Sequence, residues 1–421
     1  MRVAHLLRKY DPAEWGGTET AIERLAAGLA ARGVASVVFA PRVPRIMTAV
    51  DPLLAAGCMV RRFRAFLAMG GISAERKRQM VAVGGNLVSL DLLASLWREP
   101  GLDVIHAHVL GRLGAIGRFV ARGRRRPFVL SVHGGAYDLP PAVRQEFQRS
   151  AAGGWDWGKP LGLLLRARHL FEESDAIVTC NPREAELIRE RHPGRRVIVQ
   201  PHGVPVALFL PDRRLVAREA FPVLSGRSVL LGLGRIDPTK NQAWLIAQTA
   251  ELVRRHPGIL LVLAGACTHR EYGEALQAQI NREGLHGSVL LTGSLPPGDP
   301  RLIGLLQEAK AVVLPSLSET FGLVILEAWA AGTPVISSRT SGATALVEDG
   351  VNGLLFDLDR PASFHAAVDR LLAQPPQGVQ WGLAGRAHVA THYDTAMLAG
   401  RMKRIYEEVI DAQNAHRHSA R

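Results

Sequence analysis

One segment of the chain shows its local structure most clearly. It begins with the apolar run Ala311-Val312-Val313-Leu314 and continues as Pro315-Ser316-Leu317-Ser318-Glu319-Thr320-Phe321-Gly322-Leu323-Val324-Ile325-Leu326-Glu327-Ala328. The four apolar residues have the β-branched composition of a buried strand. A loop rich in serine follows, and a helix is predicted to begin near Gly322. The segment therefore predicts a strand, a loop and a helix in succession, which is the repeating unit of an α/β protein.

Two carboxylates, Glu319 and Glu327, lie on either side of the start of this predicted helix. Glu319 precedes the helix N-terminus, and Glu327 lies about five residues inside, roughly 7 Å along the axis. They are too far apart to share a proton, but they can accept hydrogen bonds from two separate polyols, with the positive end of the helix dipole facing an anionic phosphate. A sugar, a phosphate and a ribose in that order outline a nucleotide sugar. The alternative, a capping Glu319 and a surface Glu327, leaves an unpaired carboxylate on an apolar helix.

The alternation of short apolar runs with longer helical patterns continues through most of the chain. Strands are predicted at 3–7, 36–40, 103–107, 128–132, 176–179, 196–199, 228–233, 259–264, 289–291, 311–314 and 334–337. Helices are predicted at 19–32, 111–121, 183–191, 242–255, 271–283, 301–308 and 324–331. Two such series, split by the prolines of residues 201–211, predict an α/β protein with two doubly wound Rossmann-like domains at 1–205 and 206–394. Residues 43–100 and 134–160 are expected to be irregular, the second as a loop over a site.

Composition restricts the class of protein. A length of 421 residues suggests two or three domains, and 47% hydrophobic with 21% charged residues excludes general disorder. The three cysteines are too far apart for a disulfide framework or a CxxC metal pair, and no apolar run reaches the ~18 residues of a membrane span. Because the N-terminus is unlike a signal peptide, we expect a cytoplasmic protein, soluble or peripheral on the inner face of the plasma membrane.

A basic loop follows the first predicted strand of the back half. In open α/β sheets, ligands bind outside the carboxyl ends of the strands. After strand 228–233 the chain continues as Gly234-Arg235-Ile236-Asp237-Pro238-Thr239-Lys240-Asn241. The glycine allows close backbone approach, and a guanidinium and an ammonium five residues apart can neutralise both phosphates of a diphosphate. The alternative is a basic turn at the start of a helix, and the order of residues is not that of a P-loop.

Two glycine-containing segments follow predicted strands of the front half. Gly16-Gly17 opens a helix, where backbone N–H groups can approach a phosphate or a sugar; a plain turn is the alternative. His133 ends the strand at 128–132 and precedes two glycines, so it is either a site residue or a structural histidine. The pair His106 and His108 is expected to send one side chain to the core and the other to the cleft, and without a third ligand it makes no metal site.

Taken together, these motifs resemble those of the family 4 retaining glycosyltransferases, which have the two-domain GT-B fold. Glu319 and Glu327 look like the family's E-x7-E motif, and the resemblance covers nearly the whole chain. Its other segments are Gly16-Gly17, Ser131-Val132-His133-Gly134, Asp175-Ala176-Ile177-Val178, Gly234-Arg235, Lys240-Asn241, Gly332-Thr333-Pro334-Val335-Ile336 and Glu348-Asp349-Gly350-Val351-Asn352-Gly353. The chain departs from the family at Ser341-Gly342-Ala343-Thr344-Ala345, where Gly-Gly-x-x-Glu is usual, and at His202-Gly203-Val204-Pro205, where Asn-Gly-Val-Asp is common.

The resemblance implies two Rossmann-like domains facing across a cleft, the first for the acceptor and the second for the donor, with a helix at about 395–412 crossing back to the first. It implies that Arg235 and Lys240 hold the donor diphosphate, Glu327 the ribose, and Glu319 with the amides that follow it the transferred sugar, which His133 approaches from the other domain. The residues implied to be catalytic are His133, Glu319, Arg235 and Lys240. The residues implied to bind the donor are Gly16, Gly17, Gly234, Arg235, Lys240, Glu319, Thr320, Phe321, Gly322, Leu323 and Glu327.

The implied reaction is retaining transfer of a sugar from a UDP-sugar, or alternatively a GDP-sugar, to a glycan or lipid-linked acceptor in exopolysaccharide, lipopolysaccharide or glycolipid synthesis. Front-face attack is favoured, because Glu319 is assigned to sugar hydroxyls and is not free to act as a nucleophile. The one Asp-x-Asp, at 357–359, lies beyond the site motifs, so no metal and no other cofactor is expected. The alternatives are an epimerase or hydrolase of the same fold, and a basic membrane-binding protein with a vestigial site. The sugar, the base and the acceptor stay open.

Positive charge is concentrated in the front half. The net charge is +13, and residues 1–205 hold 30 basic and 18 acidic residues against 21 and 20 in residues 206–421. No nucleic-acid-binding motif accompanies this charge, so we expect it to face an anionic bilayer, where each basic residue contributes about 1 kcal/mol and Phe63 or Phe66 enters the interface. The alternative is a solvated basic face. The residues expected to face the membrane are Arg61, Arg62, Arg64, Arg76, Lys77, Arg78, Arg122, Arg124, Arg125 and Arg126.

Overall fold

The structure, a computed structural model, describes residues 1–11, 16–42, 51–73, 77, 80, 86–138 and 154–419. The chain forms two compact units. The first consists of Met1–Ala13, Ala21–Pro201 and Leu398–Arg421, and the second of Glu14–Thr20 and His202–Met397. Each unit contains one large parallel sheet whose central strands are buried on both faces, whereas edge strands such as Met59–Phe63 and Val197–Val199 are partly exposed. The predicted fold class, two doubly wound α/β sheets, is confirmed.

Strands and helices are numbered along the chain. The first unit contains strands β1 Arg2–Leu6, β2 Ala35–Pro41, β3 Met59–Phe63, β4 Phe66–Leu67, β5 Met69–Gly70, β6 Leu87–Val88, β7 Val104–Ala107, β8 Phe128–Val132, β9 Trp155–Asp156, β10 Ala176–Thr179 and β11 Val197–Val199. The second contains β12 Ser228–Leu233, β13 Ile259–Ala264, β14 Val289–Gly293, β15 Ala311–Leu314, β16 Val335–Ser338 and β17 Gly353–Phe356. The helices are α1 Gly17–Ala30, α2 Pro52–Ala55, α3 Leu90–Arg98, α4 Gly111–Gly123, α5 Lys159–Leu164, α6 Pro182–Arg191, α7 Arg214–Ala220, α8 Gln242–Arg255, α9 Arg270–Arg282, α10 Pro300–Glu308, α11 Leu323–Ala330, α12 Ser341–Leu346, α13 Pro361–Ala373, α14 Pro375–His392 and α15 Thr395–Ser419.

The order of strands gives each large sheet a switch point. In the first unit the order is β11-β10-β8-β7-β1-β2-β3, so the direction of winding reverses between β1 and β7. In the second unit the order is β14-β13-β12-β15-β16-β17, with the reversal between β12 and β15. Ligands of doubly wound sheets bind at the carboxyl ends of the strands beside such a reversal. The loops after β12 and β15 are therefore the expected binding loops of the second unit.

The last helix, α15, completes the core of the first unit. From Leu398 onward its buried residues, including Ala399, Met402 and Tyr406, pack against the sheet residues Val3, Val104 and Val129 and their neighbours. The opposite face of the same sheet packs against α3 and α4. The helix expected at about 395–412 therefore lies on the first sheet, as the resemblance implies, and it continues to Ser419.

The core of the second unit lies between its sheet and the helices α8, α9 and α13. Two tryptophans, Trp329 of α11 and Trp381 of α14, hold the segment before β17 through their ring nitrogens. Nε1 of Trp329 donates to the carbonyl of Asn352 at 2.8 Å, and Nε1 of Trp381 donates to the carbonyl of Gly350 at 2.8 Å. Both rings are fully buried, and both bonds end on the segment before β17. The segment 348–353 therefore has a structural role in joining these helices to the edge of the sheet.

One part of the sequence prediction is wrong. Residues 43–100 were expected to be irregular, but within them β3 joins the edge of the first sheet in parallel register with β2, and α3 packs on the same unit. The N-terminus of α3 is capped by Ser89, whose hydroxyl accepts a hydrogen bond from the backbone N–H of Leu92 at 2.9 Å. In the stretch 134–160, the predicted loop is described only at 134–138 and 154–160, where β9 forms a short antiparallel pair with β5.

Candidate active site

The loop after β12 is held in one conformation by its own side chains. The carboxylate of Asp237 accepts hydrogen bonds from the backbone N–H of Thr239 at 2.9 Å and from its hydroxyl at 2.6 Å. Burial opposes ionisation of Asp237, but these hydrogen bonds and the nearby Arg235 lower its pKa overall. A short 3-10 turn, Pro238–Lys240, follows, and Asn241 at φ +57° leads into α8. The loop therefore presents Arg235, which is exposed, and Lys240 from a rigid backbone.

Glycine is required where this loop meets its neighbour. Gly234 has φ +147°, and the stem of Lys240 runs along it, with Cε 3.8 Å from the position of a Cβ. Gly265, the residue after β13, has φ +155°, and a Cβ there would lie 2.0 Å from the carbonyl oxygen of Gly234. A side chain at Gly265 would push the two loops apart, whereas at Gly234 the positive φ is what favours glycine. The backbone of Gly234 thus lies close to that of Gly265, whereas its predicted approach to a phosphate stays a prediction.

The loop after β15 lies directly against the loop after β12. The backbone N–H of Leu317 donates to the carbonyl of Thr239 at 2.9 Å, which ties the two loops together. Nζ of Lys240 then meets Oε2 of Glu319 at 2.5 Å. The predicted diphosphate cation and the predicted sugar carboxylate are therefore in contact at the switch point of the second sheet.

Helix α11 begins at this site as predicted. Its cap residue is Gly322, at φ +92°, and a glycine has no side chain with which to cap the helix N-terminus. The backbone N–H groups of the first turn and the positive end of the helix dipole therefore suit an anion. The ring of Phe321 is buried beside this turn, with its centroid 5.0 Å from that of His202. The side chain of Phe321 therefore packs within the unit, and its predicted contact with the donor stays a prediction.

The sequence leaves open how residues 341–345 contribute to the donor site. In the structure they lie against the loop that carries Glu319. The backbone N–H of Gly342 donates to the carbonyl of Glu319 at 2.8 Å, and the hydroxyl of Ser341 donates to the same carbonyl at 3.4 Å. A Cβ at Gly342 would lie 2.6 Å from the backbone nitrogen of Phe321. The N-terminus of α12 therefore supports the loop of Glu319 from below through backbone contacts, without the glutamate that is usual in the family.

Beside these loops lies a cleft that the sequence analysis did not identify. It has a volume of about 450 Å³ and is bordered by Ile236, by the ends of β13 and β14 at Gly265 and Gly293, and by Arg270 of α9. Its size is within the range of small-molecule sites. The sequence signal that could have indicated this cleft is a glycine directly after one predicted strand and another near the end of a second.

Glu327, predicted to bind ribose, lies in α11 and is half-buried.

The predicted residues of the first unit form a different kind of cluster. His133 follows β8, and Nδ1 of His108 lies 2.8 Å from its Nε2. Nε2 of His108 lies in turn 3.0 Å from Nδ1 of His5, which is fully buried on β1. His106 pairs with His5 across β1 and β7. Burial lowers the pKa of His133 and of His5 to about 4 each and that of His106 well below its usual range.

Two expectations about these histidines are wrong. His106 and His108 were expected to point to opposite sides, but residues two apart on a strand share a face, and their ring centroids are 4.0 Å apart. A third ligand was also thought to be lacking, whereas His5 joins the pair, and ligand atoms of the three residues lie within 4.8 Å of one another. His5 was missed because a single histidine in a buried strand gives no sequence signal.

Gly16 and Gly17 lie at the start of α1. The helix begins at Gly17, and the backbone N–H and the hydroxyl of Thr20 both bond to the carbonyl of Gly16 at 3.1 Å. Residues 12–15, directly before Gly16, lie outside the described part of the chain. The N-terminus of α1 therefore has the predicted glycine pair, while its loop is not described.

The predicted membrane-facing arginines are mostly held within the first unit. Arg61 pairs with Glu99 at 2.9 Å, and Arg62 donates to the carbonyls of Tyr10 at 2.6 Å and Pro41 at 3.1 Å. Phe63 is 1% exposed in the core, so the expectation that it enters a membrane is wrong; the alternation along β3 turns it inward. Phe66 is exposed. Among the described residues, none of the helices has the length and apolar character needed to cross a bilayer.

Some of the other predicted membrane-facing residues form contacts within the first unit, and others are exposed. Arg124 donates to the carbonyls of Leu96 at 3.0 Å and Glu99 at 2.7 Å, and Arg126 lies 3.9 Å from Asp103. The exposed members are Arg64, Arg122 and Arg125, and Lys77 is half-buried. Arg76 and Arg78 lie outside the described residues.

The chain is similar in sequence to known proteins over most of its length. Residues 16–203 match the family described as glycosyl transferase 4-like domain, and residues 216–388 match the glycosyl transferases group 1. The D-inositol 3-phosphate glycosyltransferase of Acidothermus cellulolyticus is 30% identical over 366 residues, covering 85% of this chain and 78% of that protein. The enzyme of that name from Saccharomonospora viridis is 30% identical over 431 residues, covering 98% and 95%.

Solved structures share the fold. The sucrose-phosphate synthase of Thermosynechococcus elongatus superposes with a TM-score of 0.73 at 22% identity, covering 98% of this chain and 99% of that one. HepE of Anabaena, solved in complex with UDP and glucose, superposes with a TM-score of 0.71 at 19% identity, covering 97% and 99%. The fold and the site define a glycosyltransferase of the GT-B class. The chain belongs to the family 4 glycosyltransferases.

Proposed function

We propose that this glycosyltransferase moves a hexosyl group, with retention of configuration, from a nucleotide diphosphate sugar to a phosphate-bearing acceptor. The observation that carries the proposal is the contact between Lys240 and Glu319 beside Arg235 at the switch point of the second sheet. There, cations suited to a diphosphate stand next to a carboxylate suited to sugar hydroxyls. UDP is the favoured nucleotide, supported by the complex of HepE with UDP and glucose, and GDP is the alternative.

In the proposed reaction the acceptor hydroxyl attacks the anomeric carbon from the face on which the diphosphate leaves. The bond from that carbon to the phosphate oxygen breaks as the bond to the acceptor oxygen forms, and the leaving phosphate takes the acceptor proton. Arg235, Lys240 and the N-terminus of α11 stabilise the charge that grows on the diphosphate. Glu319 exchanges its contact with Lys240 for hydrogen bonds from the sugar, and His133 contacts the same sugar.

The remaining donor contacts are assigned to residues of the second unit. Glu327 binds the ribose, and the nucleoside enters the cleft of about 450 Å³ beside Ile236 and Gly265. The glycine pair Gly16-Gly17 contributes backbone N–H groups toward phosphate. No metal and no other cofactor takes part, because the two cations and the helix dipole supply the positive charge that the leaving group needs.

The acceptor is proposed to carry phosphate. Relatives at 30% identity are named for D-inositol 3-phosphate, and residues 1–205 carry 30 basic against 18 acidic residues. Two sources of such an acceptor differ in their anchoring: a soluble inositol phosphate, or a lipid-linked glycan phosphate of exopolysaccharide, lipopolysaccharide or glycolipid synthesis. The shared chemistry is a hydroxyl close to a phosphate, which positive side chains of the first unit attract.

The experiment that tests the proposal combines both substrates. The purified protein is given UDP-glucose, UDP-N-acetylglucosamine or GDP-mannose with either inositol 3-phosphate or a lipid extract, and the anomeric configuration of the product is determined by NMR. Retained configuration on a phosphate-bearing product supports the proposal. Release of free sugar or an epimerised donor in the absence of acceptor overturns it in favour of the hydrolase or epimerase alternative.

Peripheral binding to an anionic membrane is proposed from an exposed apolar surface of the first unit. On α5, Leu163 and Leu164 are each 78% exposed, and nearby Trp155 is 71% exposed, while Phe66 stacks on Trp157 with centroids 5.6 Å apart. Exposed apolar surface with basic neighbours is typical of interfacial binding, and Lys159 and Arg168 are exposed beside these leucines. The cytoplasmic face of a bacterial membrane is the anionic surface that this charge fits.

Vesicle sedimentation tests the membrane proposal. Wild-type protein should bind vesicles containing phosphatidylglycerol, bind phosphatidylcholine vesicles less, and bind more weakly as salt is raised. The double variant Leu163→Ser/Leu164→Ser should lose at least half of the bound fraction. Val379→Ser, which changes an exposed apolar residue of the second unit, is the control. Equal binding of both variants, or retention on DNA with none on vesicles, contradicts the proposal.

A further inference from the structure

Three histidines of the first unit, His5, His108 and His133, form a hydrogen-bonded chain. Nδ1 of His5 lies 3.0 Å from Nε2 of His108, and Nδ1 of His108 lies 2.8 Å from Nε2 of His133. Neighbouring rings in the chain stack, with centroids 5.3 Å and 5.0 Å apart. The residues lie on or directly after β1, β7 and β8, beside the switch point of the first sheet. The strand register therefore fixes the order His5, His108, His133.

A chain of neutral imidazoles connected in this way has only two arrangements of protons. Each neutral ring carries one N–H and one bare nitrogen, and each nitrogen-to-nitrogen contact needs one proton. If His5 is protonated on Nδ1, it donates to His108, which must then carry its own proton on Nδ1 and donate to His133. In the other arrangement all three rings carry the proton on Nε2. Burial, which lowers the pKa of His5 and of His133 to about 4, keeps these two rings neutral at physiological pH.

The buried end of the chain selects between the two arrangements. Nε2 of His5 has no hydrogen-bond partner among the residues that the structure describes, and the ring is fully buried. In the second arrangement this atom is an N–H donor that has lost water and found no acceptor, which is a costly and rare state in proteins. In the first arrangement the same atom is a bare nitrogen, a smaller loss. The buried end at His5 therefore favours the first arrangement.

We propose that His5 and His108 are positioning residues that hold His133 as its Nδ1–H tautomer, with Nε2 of His133 occupied as the acceptor from His108. His133 then acts toward the transferred sugar as a hydrogen-bond donor through Nδ1 and not as a base; this part rests on the proposed function. Proton abstraction is left to the leaving phosphate, in agreement with front-face attack.

A fourth histidine, His106, packs beside the chain. The ring of His106 lies 4.0 Å from that of His108, centroid to centroid. His106 is held by the hydroxyls of Tyr406 and Ser131, each 2.7 Å from one of its ring nitrogens. A transition metal bound by His5, His106 and His108 is the competing occupant of this cluster. Such a metal would take nitrogens that the hydrogen bonds use, so the two possibilities are mutually exclusive.

NMR of the imidazole groups tests the chain without any substrate. In full-length protein with ¹⁵N-labelled histidine at neutral pH, His5, His108 and His133 should each show the ¹⁵N shifts and two-bond couplings of the Nδ1–H tautomer. Assignment comes from the single variants. An Nε2–H signature at His108 or His133 overturns the proposal, and so does uptake of one equivalent of Zn²⁺ with loss of these signals.

Two variants of His5 make the test functional. His5→Phe keeps a ring but removes the donor to His108, so Nε2–H tautomer should appear at His133 and kcat should fall about tenfold, with the donor KM unchanged. His5→Asn supplies an amide donor, so it should restore the Nδ1–H tautomer and most of kcat. An unchanged tautomer at His133 in His5→Phe overturns the proposal. If the wild-type protein transfers sugar from no donor, the proposed function fails, and the wild-type NMR result still decides the tautomer.

Discussion

Nζ of Lys240 lies 2.5 Å from Oε2 of Glu319, although the two residues are 79 positions apart in the chain. Their side chains are 24% and 22% exposed, so water and ligands reach the pair. An accessible ion pair of this kind stabilises a protein by only about 0.2–1 kcal/mol. An incoming diphosphate can therefore displace the carboxylate from the ammonium at small cost. Substitutions of Lys240 and of Glu319 can therefore be tested separately for their effects on binding and transfer.

Replacing Lys240 by alanine is expected to lower kcat/KM for sugar transfer by about a hundredfold or more. The ammonium would no longer neutralise the charge that grows on the leaving diphosphate. Arg235→Ala should have an effect in the same direction. Lys310→Ala removes an exposed lysine of the same unit and serves as the control, which should keep wild-type rates. A folded Lys240→Ala protein with full activity would contradict the assignment.

Replacing Glu319 by glutamine is expected to tighten binding of free UDP while transfer is lost. The variant removes the anion that competes for Lys240, so the dissociation constant for UDP, measured by calorimetry, should fall about two- to fivefold. Transfer should fall because the sugar hydroxyls lose their acceptor. Glu251→Gln, which changes an ion-paired carboxylate on α8 away from the loops, should leave both quantities unchanged. Weaker UDP binding by Glu319→Gln would argue against competition within the pair.

Replacing Gly342 by alanine is expected to disturb the loop of Glu319 through the backbone. The new methyl group would lie 2.6 Å from the nitrogen of Phe321 and 2.8 Å from the carbonyl of Glu319, so the loop must shift. We expect about 1–3 kcal/mol of destabilisation, measured by urea unfolding, together with weaker binding of UDP. Gly287→Ala is the control, because no atom lies within 4 Å of its Cβ position. Equal effects of the two substitutions would show that α12 does not support the loop.

The fold could be predicted largely because buried parallel strands are short, continuous apolar runs. β12, β13 and β15 begin and end where the sequence pattern places them. β3 could not be predicted in this way, because arginines occupy its middle. Their charges are satisfied by Glu99 and by backbone carbonyls that only the folded chain brings to them. The local sequence shows that these arginines are charged, but it does not show which groups of the folded chain pair with them.

The site shows the same division between local and distant information. Each loop of the second unit carries its own motif, so Lys240 and Glu319 could be identified separately, but their contact depends on the order of strands. In the first unit, His5 gives no signal in sequence because its importance comes from pairing with His106 across two strands. The sequence of either strand alone does not determine the register between β1 and β7. Contacts across the sheet therefore needed the structure.

Replacing Tyr406 by phenylalanine is expected to destabilise the first unit by about 1–3 kcal/mol. The change removes the hydroxyl that bonds Nδ1 of His106 at 2.7 Å, and it leaves a fully buried ring nitrogen without that partner. Tyr393→Phe at a half-buried tyrosine is the control, since no hydrogen bond of its hydroxyl to the described residues is present. The free energy of unfolding in urea checks the prediction. A loss no larger than that of the control would mean that the bond to His106 contributes little.

Stability is expected to fall as the pH is lowered from 6.5 toward 4, and His5 should account for part of the loss. Burial lowers the pKa of His5 from 6.5 to about 4 in the folded protein, so between these values the unfolded chain binds a proton that the folded chain does not. The free energy of unfolding must then decrease with falling pH, by about 3 kcal/mol for this residue, and the contribution is fully present above pH 6.5. Urea unfolding of the wild type and of His5→Asn across this pH range isolates the contribution of His5 to the free energy of unfolding. The variant lacks the titrating ring and should show the smaller slope, whereas parallel slopes would mean that His5 takes up its proton equally in both states.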